Sequence, residues 1–361
     1  MSGRAGSLNH ARERNPRGVS VSDKIDPPCA GHDNRAAIFY LSDKCDSFRK
    51  QGPDVTTTAL AIIGAGKIAR DQHMPAIAGS EAFMLTAIVD PALPDLGVPV
   101  FASLAGLLKA GPAVDAVAIC TPPQVRTGLV LEAMAAGLHV LMEKPPAATL
   151  SEVAAIEAAA RPGRTVYATW HSRFAPMVAP ARDWLAGRTI RSGRLVWRED
   201  AHRWHPGQHW LWQPGGMGVF DPTINAFSIL TAITDAPWSI ARSDFQIPVG
   251  LHAPISAQLE MRVGGAPVAA DLHFHDDDTA EWTIALETEG GGTLELRDGG
   301  ATLILDGGER RHQPKAEYPA IYAHFAALIA GSRSEVDARP LRLVADAFLL
   351  ARISEAEAFE P

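Results

Sequence analysis

The sequence predicts an α/β protein, a doubly wound parallel sheet followed by an α+β region on a largely antiparallel open sheet. Three observations predict it. From Thr57 to Trp170 short apolar strands alternate with helical segments, the pattern of a parallel sheet covered on both faces. The first strand, Ala59-Leu60-Ala61-Ile62-Ile63, runs straight into Gly64-Ala65-Gly66-Lys67-Ile68-Ala69, a Gly-x-Gly-x-x-Ala turn that opens a helix. Beyond Trp170 most segments change to a strand-like pattern and are joined by Gly or Asp turns.

The Gly-rich turn is a Rossmann dinucleotide fingerprint. Gly64 allows the tight turn, Gly66 lets a pyrophosphate approach the backbone, and small Ala69 lets helix and strand pack closely. The helix start adds free N–H groups and a positive dipole end. A second apolar strand, Met84 to Val89, ends in Asp90, where the motif expects an acid for the adenosine ribose.

Each further element follows from local signals. A short strand at Val98 to Phe101 precedes a helix with Ser103 as N-cap, and Val114 to Cys120 is the next strand. Thr121-Pro122-Pro123 opens a helix that stops at Gly137, and His139 to Met142 is a strand closed by Glu143-Lys144-Pro145-Pro146. Thr149 and Glu152 form a capping box for a helix from Leu150 to Ala160, and Thr165 to Trp170 is the sixth strand. After a helix ending near Gly187 come the strand Arg191 to Glu199, a loop rich in Trp, His, Pro and Gly, and a helix starting near Phe220. Strands follow at Trp238 to Ile247, Ser256 to Val263, Val268 to His275, Trp282 to Glu287, Thr293 to Leu296 and Thr302 to Leu305. Helices over about Tyr318 to Ala330 and Leu341 to Phe359 end the chain. The expected organisation is a disordered extension over 1–56, a Rossmann domain over 57–170, and a substrate-binding and oligomerisation domain over 171–361. The first strand opens shortly after Val55, which suits a native start there.

Composition narrows the function. The 361 residues, 47% hydrophobic and 20% charged, are ordinary for a globular enzyme. A net charge of -8 without basic blocks argues against nucleic acid or anionic membrane as a partner. No apolar run approaches the ~18 residues of a membrane span. Three cysteines, Cys29, Cys45 and Cys120, suggest neither a disulfide framework nor zinc, and suit a reducing cytoplasm. No metal is expected: Pro206-Gly207 breaks the helix that His205 and His209 would need. His273 and His275 beside Asp276-Asp277-Asp278 read as a strand running into an acidic turn.

The fingerprint, the segment Ala135 to Pro145 with its Glu-Lys-Pro, and Gly215-Gly216-Met217-Gly218-Val219-Phe220-Asp221 stand in the order and spacing of one family. Over residues 57–361 the chain resembles the glucose-fructose oxidoreductase / inositol dehydrogenase / MocA (Gfo/Idh/MocA) group. Within it, Trp197 to Gly207 and Asp221-Pro222-Thr223-Ile224-Asn225 resemble bacterial aldose 1-dehydrogenases acting on D-galactose and L-arabinose. The resemblance implies an NAD-dependent oxidation of a sugar at C1, by a homodimer or homotetramer. A polyol or inositol dehydrogenase of the same fold, or a nucleotide-binding regulator without turnover, are the competing readings. Two departures matter: Arg126 and Asn225 stand where many relatives carry His. Asn cannot exchange a proton near neutral pH, so the proton falls to Asp221, Lys144 or water.

Oxidation at C1 sends a hydride to the cofactor while O1 loses a proton, so the protein must position the sugar and take that proton. Lys144 is expected at the ligand end of the sheet to polarise the sugar oxygen, Asp221 to act as base, and Asn225, one helical turn on, to bind hydroxyls. Cofactor contacts are expected from Gly64, Ala65, Gly66, Lys67, Ile68, Asp90, Thr121, Pro122, Pro123, Glu143 and Lys144. The resemblance implies sugar contacts from His171, Glu199, Trp204, His205 and Trp282 besides Asp221 and Asn225, whereas Trp210 and Trp212 should pack. Asp90 favours NAD over NADP, because a 2'-phosphate there would meet a like charge. Only a more distant base, Arg70 or Arg126, would offset it.

Overall fold

Strand β1 (Thr58–Ile63) is buried along its second half, so it can only sit inside a sheet. It pairs in parallel with β2 (Phe83–Val89) on one side and β4 (Ala116–Ile119) on the other. β3 (Val100–Phe101) extends the sheet past β2, and β5 (His139–Met142) and β6 (Val166–Ala168) extend it past β4. The order β3-β2-β1-β4-β5-β6, parallel throughout, reverses its direction of growth between β1 and β4. The carboxyl ends of these two strands therefore flank the crevice in which such sheets bind ligands. The computed structural model describes residues 57–274 and 280–361. The extension over 1–56, and the turn from His275 through Asp276, Asp277 and Asp278, lie outside the described residues.

The crossover helices are α1 (Met74–Ala78), α2 (Leu104–Ala110), α3 (Pro123–Ala135) and α4 (Leu150–Ala159). Ser103 caps α2 by accepting from the Gly106 N–H, Thr149 and Glu152 close the capping box of α4, and Gly137 turns at φ 77° after α3. The segment after the Gly-rich turn is less regular. Its first turn, Ala69–His73, is π-helical, and it ends with His73 fully buried.

A 3-10 turn (His171–Phe174) and α5 (Val178–Leu185) lead to β7 (Ile190–Glu199). The Trp-rich loop holds α6 (Ala201–Trp204) and a 3-10 turn (His209–Trp212), and α7 (Phe220–Ile233) follows it. Then come β8 (Trp238–Pro248), β9 (Ser256–Val263), β10 (Ala266–Phe274), β11 (Glu281–Thr288), β12 (Thr293–Arg297), β13 (Thr302–Leu305) and β14 (Arg311–His312). Helices α8 (Glu317–Ala330) and α9 (Arg339–Leu349) precede β15 (Ala351–Ala356). The nine-stranded order is β14-β13-β12-β11-β7-β10-β9-β8-β15. The sheet is mixed, since β7–β10 and β8–β15 pair in parallel and the other neighbours antiparallel.

The last helix is shorter than the Leu341 to Phe359 expected. Leu341, Leu343, Val344 and Ala347 bury a helical stripe, but nothing from Ala351 to Ala356 is buried and Ile353 is 66% exposed. A helix continued there would have no face to bury. The free edge of β8 instead offers backbone partners, and Arg352 and Glu355 suit an edge strand.

Helix α7 positions the site. Phe220, Ile224, Phe227, Ile229 and Leu230 leave no solvent-facing stripe, and one apolar core runs from the parallel sheet through this helix to the mixed sheet. Residues at its N-terminal turn are thus held against both sheets. Phe227→Ala is expected to cost about 3–5 kcal/mol by leaving a cavity in that core. The urea midpoint of unfolding measures this, and a loss below about 1 kcal/mol would contradict the described packing.

Candidate active site

The site is built outward from Glu143, the first residue after β5. Its carboxylate is 3% exposed and carries three bonds: His73 Nε2 lies 3.0 Å from Oε1, the Tyr318 hydroxyl donates to Oε1 at 2.8 Å, and the Lys144 backbone N–H donates to Oε2 at 3.0 Å. His73 Nδ1 lies 2.8 Å from the Tyr322 hydroxyl. Burial opposes charge on both partners, yet their pKa values move apart. Burial would raise that of Glu143, but the bond to His73 and its charge, with His171 and Tyr318, hold it well below the carboxylate range. Burial would lower that of His73, but Cys120, Tyr322 and Glu143 around it raise it well above the ordinary imidazole value. Both shifts favour the charged forms, an imidazolium on a carboxylate.

Arg126 locks the same turn from the other side. It is 2% exposed and donates to the carbonyls of Glu143, Pro145 and Thr121. Burial pulls its pKa down to about 10, and it is occupied away from the cofactor loop, so it is no candidate for a 2'-phosphate.

Lys144 is therefore held by its neighbours, and its side chain crosses to α7. Nζ lies 3.1 Å from Asp221 Oδ1 and donates to the Asp221 carbonyl at 3.0 Å. Asp221 does not cap the helix, whose N-cap residue is Val219, so its carboxylate is free to face the crevice. The charges continue: Asp221 Oδ2 lies 3.8 Å from His205 Nδ1, and His205 Nε2 lies 2.7 Å from Glu199 Oε1 at the end of β7. Trp282 Nε1 donates to Glu199 Oε2 at 2.8 Å. Lys144, Asp221, His205 in its protonated form and Glu199 thus alternate in sign along one path. Burial would lower the pKa of His205, but the bond to Glu199 and the charge of Asp221 outweigh it and raise the value.

Around this path, Trp204 meets Trp282 edge to face at 5.3 Å and is 41% exposed. Trp212 is buried against Phe274 and Phe359, and Trp210 packs on the core, as expected of both. Asn225 follows Asp221 by one turn, and its buried Oδ1 has no hydrogen-bond partner. His171 is not part of the path. It lies 3.3 Å from Glu317 Oε2 and stacks on Tyr318.

The dinucleotide end is equally defined. Gly64 has φ 92°, and a Cβ there would sit 3.0 Å from Thr121 Cγ2 and 3.1 Å from Thr121 N, so only glycine allows the turns after β1 and β4 to meet. A Cβ on Gly66 would meet nothing within 4 Å, which leaves the backbone open to a pyrophosphate. Asp90 accepts from the Ala65 N–H at 2.8 Å and the Ala92 N–H at 2.9 Å, and Arg70 Nε donates to the Ala65 carbonyl at 2.7 Å. Thr121 Oγ1 is buried without a partner, and Pro122 and Pro123 start α3 beside it. The Lys67 ammonium turns away to Asp71, so Lys67 and half-buried Ile68 face this end through their backbone. These features fit a dinucleotide. Among the described residues no group of three metal-type ligands converges.

Residues 58–169 match the model of the oxidoreductase family with an NAD-binding Rossmann fold named for Gfo, Idh and MocA. Galactose 1-dehydrogenase of Pseudomonas fluorescens is 44% identical over 304 residues, which are 83% of this chain and 98% of that protein. The chain belongs to the Gfo/Idh/MocA family. A similar protein of solved structure is the D-galactose-1-dehydrogenase protein of Rhizobium etli. Its crystal structure is 43% identical, with a TM-score of 0.80 over 86% of this chain and 100% of that one. KijD10, a 3-ketoreductase from Actinomadura kijaniata solved with TDP-benzene and NADP, shares the fold at a TM-score of 0.70 and 17% identity, over 83% of this chain and 99% of its own.

The sequence reading missed His73, Tyr318 and Tyr322, whose partners lie up to 249 residues away. Their one local signal, two tyrosines four apart on a helix, points only to a packed face. His73→Gln is expected to cost about 3–5 kcal/mol at mildly acid pH, because Glu143 stays buried without its cation. The raised pKa of His73 makes that advantage complete below about pH 6.5 and lost as pH rises through the folded-state value. Denaturation of both proteins across pH checks this, and an advantage that grows above pH ~7 would contradict it.

Proposed function

We propose that this protein is an aldose 1-dehydrogenase that oxidises D-galactose, and/or L-arabinose, at the anomeric carbon to the aldonolactone, with NAD preferred over NADP. The observation that carries the reading is the Lys144–Asp221 pair at the carboxyl end of the parallel sheet, in a chain 44% identical to a galactose 1-dehydrogenase along nearly all its length. NAD, bound along Gly64 to Ile68 with its ribose on Asp90, would supply the hydride acceptor. Thr121, Pro122, Pro123 and Glu143 shape the nicotinamide end of that groove.

The chain's own residues do the rest. Lys144 donates to the sugar O1 and stabilises the alkoxide as it forms, and Asp221 accepts the O1 proton. Only those interactions strengthen as charge develops. Glu199, His205 and the orphaned amide oxygen of Asn225 bind hydroxyls, and His171 stacks on Tyr318, whose hydroxyl bonds Glu143. Trp204 and Trp282 offer flat surface to the apolar face of the ring. Galactose and arabinose match at C2, C3 and C4, so one set of partners serves both. A cytoplasmic homodimer or homotetramer, closed over the outer face of the mixed sheet, completes the reading.

A panel of galactose, arabinose and inositol with NAD and with NADP, followed at the absorbance of the reduced nicotinamide, tests it. Aldose turnover is expected. Preference for inositol would favour the polyol reading, and cofactor binding without turnover of any sugar would favour a regulator.

Lys144→Ala should lower turnover by several powers of ten, since it removes both a positioning contact and the charge beside the alkoxide. Asp221→Asn should keep the fold and sugar affinity and lose about a hundredfold in kcat. Near-normal turnover in either variant would remove that residue from the mechanism.

Asp90 supports the NAD preference. Both its oxygens are fixed by backbone N–H groups, so a 2'-phosphate would face a carboxylate that cannot swing aside. At ~4 Å and an effective dielectric near 20 the repulsion is up to about 4 kcal/mol before screening. The expected preference is at least about tenfold in kcat/KM, and Asp90→Ser should erode it mainly by improving NADP use. Equal wild-type efficiency with both cofactors would contradict this and point to Arg70, in the helical turn after the Gly-rich loop.

A further inference from the structure

Asp221 presents its two oxygens to different partners. Oδ1 takes the Lys144 ammonium, and Oδ2 is turned to His205 Nδ1 at 3.8 Å. That gap is too long for a hydrogen bond, but contacts of this kind in ligand-free sites commonly tighten in the productive complex. The other face of the imidazole is already committed, because Glu199 Oε1 lies 2.7 Å from Nε2 and keeps a proton there. When His205 is neutral it keeps the Nε2 proton, and its lone pair, on Nδ1, faces Asp221. Glu199 is itself fixed by Trp282 Nε1 and is 4% exposed, so it cannot turn away to water. Gln208 Oε1 lies 3.4 Å from Nδ1 and accepts from that nitrogen while it is protonated, and Phe274 packs edge-on to the ring.

We propose that His205, oriented by Glu199, is a proton relay behind Asp221, carrying the proton of sugar oxidation away from Asp221. This rests on the aldose-oxidising reading above. The C1–H bond breaks with both electrons going to the cofactor, and the O1–H proton passes to Asp221 as the C1=O bond forms. Asp221 hands that proton to Nδ1. The resulting imidazolium, balanced by Glu199, releases it to water, which returns Asp221 to its ionised form. The His that Asn225 replaces at the α7 position is thus made good by a His from the loop after β7.

The charged groups facing His205 among the described residues are Glu199 from β7, Asp221 from α7 and Lys144 from the turn after β5. Glu199 and Asp221 raise its pKa and Lys144 lowers it, with burial also opposing charge. The relay works when His205 starts neutral, so kcat/KM should climb as pH rises through a value above the ordinary imidazole one. Glu199→Gln removes a raising charge and should move that limb to lower pH. His205→Asn should abolish the limb and lower kcat about a hundredfold while KM changes only a few-fold. His205→Ala should regain part of its turnover on addition of free imidazole.

An unchanged pH limb in folded His205→Asn, or a loss lying entirely in KM, would overturn the relay and leave His205 a sugar ligand. A second measurement needs no turnover. The ring 15N titration of His205, followed by NMR in the protein without sugar, should shift to lower pH in Asp221→Asn. An unshifted titration would overturn the relay even if the wild type oxidises galactose. If instead the wild type oxidises no aldose while the titration shifts, the function reading fails and the Asp221–His205 coupling stands.

Discussion

The structure depends on one buried carboxylate. Glu143 is reached by the turn after the Gly-rich loop through His73, by α8 through Tyr318, and by its own turn through the Lys144 N–H. These three elements are distant in sequence, and none alone fixes the direction in which Lys144 leaves the sheet. Removing a charge from water costs several kcal/mol, so Glu143 is tolerated only because a cation and further donors surround it. The same demand makes it a constraint: any movement of the turn would strip partners from a carboxylate with no water to replace them. Arg126 adds a second tie, holding the carbonyls on both sides of Lys144 and that of Thr121.

A rigid turn matters because the chemistry proposed needs angstrom-scale placement. Lys144 is held from the parallel sheet and Asp221 from a helix packed against both sheets, so their separation of 3.1 Å is set by two cores that are one. With His205 protonated, opposite charges alternate from Lys144 to Glu199, and each ion is neighboured by its counterpart, which lets four ionisable groups share a mostly buried path. The half-exposed end of this arrangement is aromatic, with Trp204 outermost. The polar groups proposed to bind hydroxyls thus lie beside flat aromatic surface. Two of the buried atoms without a hydrogen-bond partner, Asn225 Oδ1 and Thr121 Oγ1, belong to residues proposed to meet the sugar and the cofactor.

What the sequence allowed to be read, and what it did not, divides along physical lines. Local signals carried well: the Ser103 cap, the Thr149–Glu152 box, the Gly64 turn and the strand periodicities are properties of a few neighbouring residues, and each stands where expected. Lys144 was placed at the sheet's ligand end because strand order dictates it, and Asp221 and Asn225 share a face because helical spacing does. The clamp on Glu143 was not readable, because His73 and Tyr322 are 249 residues apart and a buried ion pair has no period. Arg126 looked like a possible phosphate ligand, since a sequence shows a charge but not its burial. The end of α9 was misplaced because the free edge of β8, which captures Ala351 to Ala356, is a tertiary feature.

The measurement that tests the central claim most directly is a crystal structure of the ternary complex with D-galactose and reduced cofactor. The account predicts O1 within about 3.2 Å of both Lys144 Nζ and an Asp221 carboxylate oxygen, with C1 facing the nicotinamide. A sugar seated with O1 away from that pair, or a Lys144 side chain withdrawn from it, would contradict the account.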